Sequence, residues 1–75
     1  MEEIEMIPNL LKNWSVVPCV DGSIVVYGEI YNDTKNRFFD GSRIRTSRVQ
    51  SIDFVAGVVK TLNSTYNLDM TRGGQ

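Results

Sequence analysis

From Trp14 onward the apolar and polar positions alternate with a period close to two, the spacing of a half-buried strand. Trp14-Ser15-Val16-Val17-Pro18-Cys19-Val20 is rich in strand formers, and its proline predicts an edge strand or a bulge. Asp21-Gly22 separates it from Ser23-Ile24-Val25-Val26-Tyr27-Gly28-Glu29-Ile30-Tyr31. Two β-branched runs around Asp-Gly predict a hairpin. Ile24, Val26 and Ile30 fall on one face of its second strand, and Val25, Tyr27, Glu29 and Tyr31 on the other. Gly28 lies on the Ile face, where it predicts a bend or a close backbone approach.

Asn32-Asp33-Thr34-Lys35-Asn36 reads as a polar loop, and Asp40-Gly41 as a second turn. A strand from Ser42 to Val49 puts Ile44, Thr46 and Arg48 on one face and Arg43, Arg45, Ser47 and Val49 on the other. Ile44 and Val49 differ in parity, so burying both predicts a bulge near Thr46-Ser47. Ile52, Phe54 and Val55 lead to a turn at Ala56-Gly57, and residues 57–68 read as one last strand. Near the start, Ile4, Ile7 and Leu11 have helical spacing, interrupted by Pro8. The pattern predicts an irregular arm over residues 1–13 with a turn of helix around 8–12, one β domain over 14–68, and a disordered tail over 69–75. The fold class is mainly all-β, an antiparallel meander of four or five strands or a small open barrel, because a single sheet needs its apolar face covered.

Length sharpens this picture. A chain of 75 residues is one domain and hides only about 60% of the surface it exposes unfolded. Such scaffolds usually rely on disulfides, a metal or a partner subunit. Cys19 is the sole cysteine and there is no histidine, so neither an internal disulfide nor a Cys/His metal site is expected. No cofactor is expected, and a homo-oligomer is the remaining staple. The acidic start, Met1-Glu2-Glu3-Ile4-Glu5, has no signal-peptide character, and a free cysteine suits a reducing compartment, so a cytoplasmic location is expected and no membrane partner.

The net charge of −1 hides an asymmetry. Residues 1–34 carry Glu2, Glu3, Glu5, Asp21, Glu29 and Asp33 against Lys12 alone. Residues 35–60 carry Lys35, Arg37, Arg43, Arg45, Arg48 and Lys60 against Asp40 and Asp53. A fold that segregates them has an acidic and a basic face, suited to head-to-tail association or capture of an anion.

Enzymatic equipment is thin. No histidine is present to act as a base near neutral pH. Cys19 sits in a strand with no base in reach by sequence, and Glu29 with Asp33 is the one candidate carboxylate pair. A non-enzymatic binding role fits better. Phe38 and Phe39 are neighbours, so in an extended chain they point to opposite sides and one ring faces out. With Arg37, Arg43, Arg45 and Arg48 nearby, that gives an aromatic and arginine patch of the kind enriched in binding hot spots. Arginine forks also hold phosphates. Thr46, Ser47, Asn63, Ser64, Thr65 and Tyr66 would complete a polar pocket for a phosphate-bearing nucleotide if the last strand pairs with the arginine strand.

Three segments resemble small uncharacterised proteins of phages and prophages. They are Gly28-Glu29-Ile30-Tyr31-Asn32-Asp33, Arg37-Phe38-x-Asp40-Gly41-x-x-Ile44-x-Thr46-Ser47-x-Val49, and Thr61-x-Asn63-Ser64-x-Tyr66-x-Leu68. The resemblance spans residues 14–68, and Phe39 departs from it where the pattern has proline. It carries no established activity and therefore no functional residues. What it implies is context: small phage accessory proteins often disarm bacterial defences by blocking a host protein or sequestering a signalling nucleotide. The leading expectation is such an inhibitor. A single-stranded nucleic-acid-binding barrel and a virion assembly subunit are the rival readings.

Overall fold

The computed structural model describes residues 7–70. Over that range the chain forms six strands and no helix: β1 (Leu10–Pro18), β2 (Ile24–Tyr31), β3 (Ser42–Arg45), β4 (Val49–Asp53), β5 (Val58–Thr61) and β6 (Thr65–Leu68). They make one sheet in the order β3-β2-β1-β6-β5-β4. All neighbours are antiparallel except β1 and β6, which pair in parallel at Leu10 and Leu11. The sheet is thus two three-stranded meanders joined at a short central seam. The all-β expectation holds, but six strands replace the expected four or five. The expected helical turn around 8–12 is replaced by a turn at Pro8-Asn9 and the start of β1. Leu10–Lys12 pair with Glu29–Tyr31 instead, so the helical spacing of Ile7 and Leu11 is incidental. The rest of the predicted arm, residues 1–6, and the tail from 71 onward lie outside the described residues. Asp69 still follows β1: its N–H donates to the Leu11 carbonyl at 2.8 Å, and its carbonyl accepts from Trp14 Nε1 at 2.9 Å.

The first hairpin forms, with a loop one residue longer than predicted: the Cys19 N–H donates to the Ser23 carbonyl at 2.8 Å, so Val20 joins Asp21-Gly22 in the turn. The Gly22 N–H donates to the Cys19 carbonyl at 3.0 Å, and Gly22 takes a φ of 90°, which suits glycine. Asp21 accepts from the N–H and hydroxyl of Ser23, and these bonds hold its carboxyl below the usual carboxylate range. Pro18 ends β1, in the half of the strand that does not pair with β6. The bulge in β1 falls elsewhere, between Lys12 and Ser15, where Asn13 has a φ of 51°. It presses onto Gly28: a Cβ there would lie 3.1 Å from Trp14 Cβ and 3.3 Å from the Lys12 carbonyl oxygen. Gly28 is therefore the close approach that its position on the Ile face predicted.

Two further expectations change. Residues 57–68 are not one strand. Leu62-Asn63-Ser64 turns the chain back, so that β5 and β6 pair. Thr61 Oγ1 accepts from the N–H groups of Asn63 and Ser64 and donates to the Ser64 carbonyl, which stabilises the turn. The bulge expected at Thr46-Ser47 is a break between β3 and β4. This break resolves the parity conflict, because Ile44 is buried and Val49 packs on the same core.

That break also shapes the sheet. β3 and β4 are its opposite edges. Laid flat, six strands put them about 24 Å apart at ~4.8 Å per spacing. The chain from Arg45 to Val49 spans at most about 14 Å at ~3.6 Å per residue. The sheet must therefore roll, and it encloses a core of Leu11, Val26, Ile30, Ile44, Val59, Tyr66 and Leu68, with Trp14, Val16, Val49 and Ile52 packed against it. β4 approaches β2 across this core, while β3 contacts no strand except β2, so the roll stays open.

Gly28→Val adds bulk where a backbone carbonyl and the Trp14 Cβ stand in the way. It should lower the unfolding free energy by about 1–3 kcal/mol, a large share of the ~4–11 kcal/mol expected for this length. Urea denaturation measures it, and an unchanged midpoint would mean that the β1 bulge does not depend on this contact.

Candidate binding surface

The loop from Asn32 to Gly41 joins β2 to β3 and is built around one carboxylate. The Asp33 side chain is only 1% exposed. Its Oδ2 accepts the backbone N–H groups of Arg37 at 2.7 Å and Phe38 at 3.1 Å, and its Oδ1 accepts that of Lys35 at 3.2 Å. The Arg37 guanidinium closes on the same carboxylate, with Nη2 3.3 Å from Oδ1 and Nε 3.4 Å from Oδ2. Arg37 Nη2 also lies 3.5 Å from the Tyr66 hydroxyl oxygen. Burial pushes the Asp33 carboxyl up, but the Arg37 side chain and the backbone donors outweigh it, and the carboxyl ends below its usual range. The Asp33 hydrogen bond in turn raises the Arg37 guanidinium.

Further ties fix the loop from outside. Asn9 Oδ1 accepts the Thr34 N–H at 2.9 Å, and Asp40 Oδ1 accepts the Asn32 N–H at 2.8 Å. Lys35 Nζ donates to the Asn63 carbonyl at 3.0 Å and lies 3.2 Å from Ser64 Oγ. At the exit, Gly41 takes a φ of 89° and donates to the Ile30 carbonyl, while Ser42 donates to that of Phe39.

This bracing presents two rings. Phe38 is partly covered, with the Arg37 guanidinium 5.3 Å from its centroid. Phe39 is 89% exposed. Along β3, Arg43 and Arg45 are exposed on the outer face, opposite Glu29 and Tyr27 of β2. Neither has an ion-pair partner among the described residues. Lys12 and Tyr31 share this face, with Lys12 Nζ 4.9 Å from the Tyr31 centroid. The surface is thus cationic and aromatic. Its acids are Glu29, whose Oε1 accepts from Asn13 Nδ2 at 3.0 Å, and the exposed Asp40 beside Phe39.

The other predicted site residues do not join it. β6 pairs with β5 and β1, not with the arginine strand, so the anticipated polar pocket is not assembled. Thr46 is buried: its Oγ1 accepts the Val26 N–H at 3.0 Å and donates to the Ser47 carbonyl. Ser47 Oγ accepts from Asn63 Nδ2 at 2.6 Å, which ties the break between β3 and β4 to the β5–β6 turn. Ser64 faces Lys35, Thr65 is exposed on β6, and Tyr66 belongs to the core. Arg48 reaches Asp21 at 3.8 Å, both well exposed, a pair that contributes little in water. Glu29 and Asp33 have separate partners and form no dyad.

Sequence reasoning missed Asp33 as the hub and Lys12 as part of the surface. An aspartate opening a polar loop, with backbone donors two to five residues ahead, was the available signal for Asp33. Comparison of the chain with protein-family models, curated proteins and solved structures finds no match.

Asp33→Asn keeps the shape but replaces an acceptor with a donor among donors, so a loss of about 1–3 kcal/mol at neutral pH is expected. The sign with pH is fixed by the lowered folded-state value. The contribution is complete above the unfolded value of about 3.9 and is lost as pH falls through the folded one. The stability gap between wild type and variant should therefore narrow below about pH 4. A gap independent of pH, measured by denaturation across that range, would remove Asp33 from its role.

Proposed function

We propose that this chain is a non-enzymatic binding protein of phage type that blocks a host protein of a bacterial defence system. The observation that carries the binding role is the Phe39 ring, 89% exposed on a loop braced from beneath by the Asp33 carboxylate. A large ring held in water by a rigid loop is a pre-organised anchor, because little ordering entropy is lost when a partner covers it. Arg43 and Arg45 follow it on β3 and add charge that steers and orients the encounter. The defence context comes from the resemblance to phage and prophage proteins.

A macromolecular partner fits better than a small phosphate ligand. Arg37 is engaged by Asp33, Arg48 lies near Asp21, and Arg43 and Arg45 stand on an exposed strand rather than converging in a pocket. One observation favours single-stranded nucleic acid as a second reading: Tyr27 and Tyr31 share a face with Lys12, Arg43 and Arg45. Self-association accompanies the leading reading, and the exposed Val55 and the Phe54 ring stacked 6.2 Å from Trp14 offer apolar area for it.

The test is phage plating on bacteria that carry defined defence systems, with and without the chain expressed. Wild type should restore plaques against at least one system. Phe39→Ala, and separately Arg43→Gln with Arg45→Gln, should reduce that rescue by about tenfold or more, the ~1.4 kcal/mol of a modest hot spot, with unchanged unfolding midpoints. Full rescue by both variants would remove this surface from the function. Steep loss of oligonucleotide binding with salt would instead support the nucleic-acid reading.

A further inference from the structure

The free edge of β3 has a defined polarity. Thr46, one residue beyond the strand, donates its N–H to the Val26 carbonyl at 2.8 Å. Tyr27 then faces Arg45, Gly28 faces Ile44 and Glu29 faces Arg43. In an antiparallel pair, hydrogen-bonded and non-hydrogen-bonded positions alternate. Thr46 and Ile44 therefore turn their backbone groups toward β2, and Arg43 and Arg45 turn theirs away. β3 contacts no other strand, and no partner for these N–H and C=O groups is found among the described residues. The arginine side chains stand beside them on the outer face, two residues apart.

We propose that this edge receives an extended acidic segment of the partner protein, which adds to the sheet as a seventh strand. This rests on the reading of the chain as a protein-binding module and specifies how the partner docks. Backbone bonds to Arg43 and Arg45 supply the affinity, as in other strand-addition interfaces. Acidic residues at every second position of the incoming strand lie opposite the two guanidinium groups and set its register. Phe39 lies at the N-terminal end of β3, where it covers the end of the added strand.

Charge decides against a second copy as the occupant. Two β3 edges paired across a twofold axis would set arginine against arginine, which is unfavourable directly across a ladder. The sheet's other edge is β4, whose outer face offers Ser51 and Asp53. Asp53 Oδ1 is already held by the N–H groups of Val55 and Ala56, both at 3.0 Å. The edge thus disfavours its own twofold pairing, and β4 of a second copy, with Asp53 as its one acid, offers a single opposite charge where an acidic strand offers two.

The experiment uses the full chain and short labelled peptides that alternate glutamate with valine. Fluorescence anisotropy should show the glutamate peptide binding about tenfold or more tighter than its lysine counterpart, as expected when two opposite-charge pairs replace two like-charge pairs. N-methylation of the peptide backbone should abolish binding while leaving the charge intact. Arg45→Pro should do the same from the protein side, because it removes an outward N–H that β2 does not use. If Arg45→Pro fails to fold, Arg43→Gln with Arg45→Gln serves instead: it keeps the edge and should erase the preference between peptides.

Equal binding of the methylated peptide, or of the lysine peptide, overturns the inference. So does an oligomer of the chain that Arg45→Pro dissociates, since a second copy would then occupy the edge, and so does tighter binding of a single-stranded oligonucleotide than of the acidic peptide. Failure here with loss of plaque rescue in Phe39→Ala would leave the binding role standing and remove only the strand-addition mode.

Discussion

Three residues, Thr46 to Arg48, carry the chain from one edge of a six-stranded sheet to the other, and the rest of the structure follows from that short span. A flat sheet would tear it, so the two meanders roll toward each other. Rolling lets one set of side chains, Leu11, Val26, Ile30, Val59 and their neighbours, close a core in a chain too short for two layers. The span is itself fastened at Thr46, whose hydroxyl takes the Val26 N–H and whose own N–H reaches the Val26 carbonyl. Leaving that buried N–H unpaired would cost about 1–3 kcal/mol. The same geometry leaves the roll incomplete. β4 leans toward β2, β3 is left with one neighbour, and an open edge results.

The second constraint is electrostatic and local. A loop of ten residues between β2 and β3 has little apolar content to hold it, and the chain uses Asp33 in place of a hydrophobic plug. Burying a carboxylate is unfavourable unless it is paired and fully hydrogen-bonded. Here three backbone donors and a two-point guanidinium contact offset the penalty, and the lowered carboxyl value records the balance. The fold and the surface meet at this point. The bonds that stabilise the loop also fix the direction in which Phe38 and Phe39 leave it.

The sequence disclosed local features and concealed longer-range ones. Asp21-Gly22 and Asp40-Gly41 identified their turns because glycine at positive φ is a property of the dipeptide itself. Gly28 was legible as a close approach because it interrupts an apolar face. The division of residues 57–68 was legible only in Asn63-Ser64, a weak turn signal between two runs of strand formers; the turn itself is stabilised by the Thr61 hydroxyl, which composition does not reveal. The parity clash between Ile44 and Val49 was visible and correctly demanded a discontinuity. A bulge and a break satisfy parity equally, and only the order of strands distinguishes them. The candidate site divided in the same way. Strand geometry did not decide the two phenylalanines, since Phe38 and Phe39 lie in the loop between β2 and β3 and both rings are exposed, and the partners of Arg37 and Arg48 depend on contacts that charge counting does not see.

Those partners alter what the basic segment means. Along the sequence, Arg37, Arg43, Arg45 and Arg48 form one cluster; in the structure they separate by task. Arg37 is an internal strut, and Arg48 sits by Asp21 of the β1–β2 turn. Of the four, Arg43 and Arg45 alone stand exposed without an ion-pair partner among the described residues. The loop does not require the ring at that position. It uses the Phe39 carbonyl, which accepts from Ser42, and no bond of the Phe39 N–H is found among the described residues. A proline at this position would keep that carbonyl and lack only the unused N–H. The fold can do without the Phe39 side chain, so the exposed ring is available to the partner proposed above.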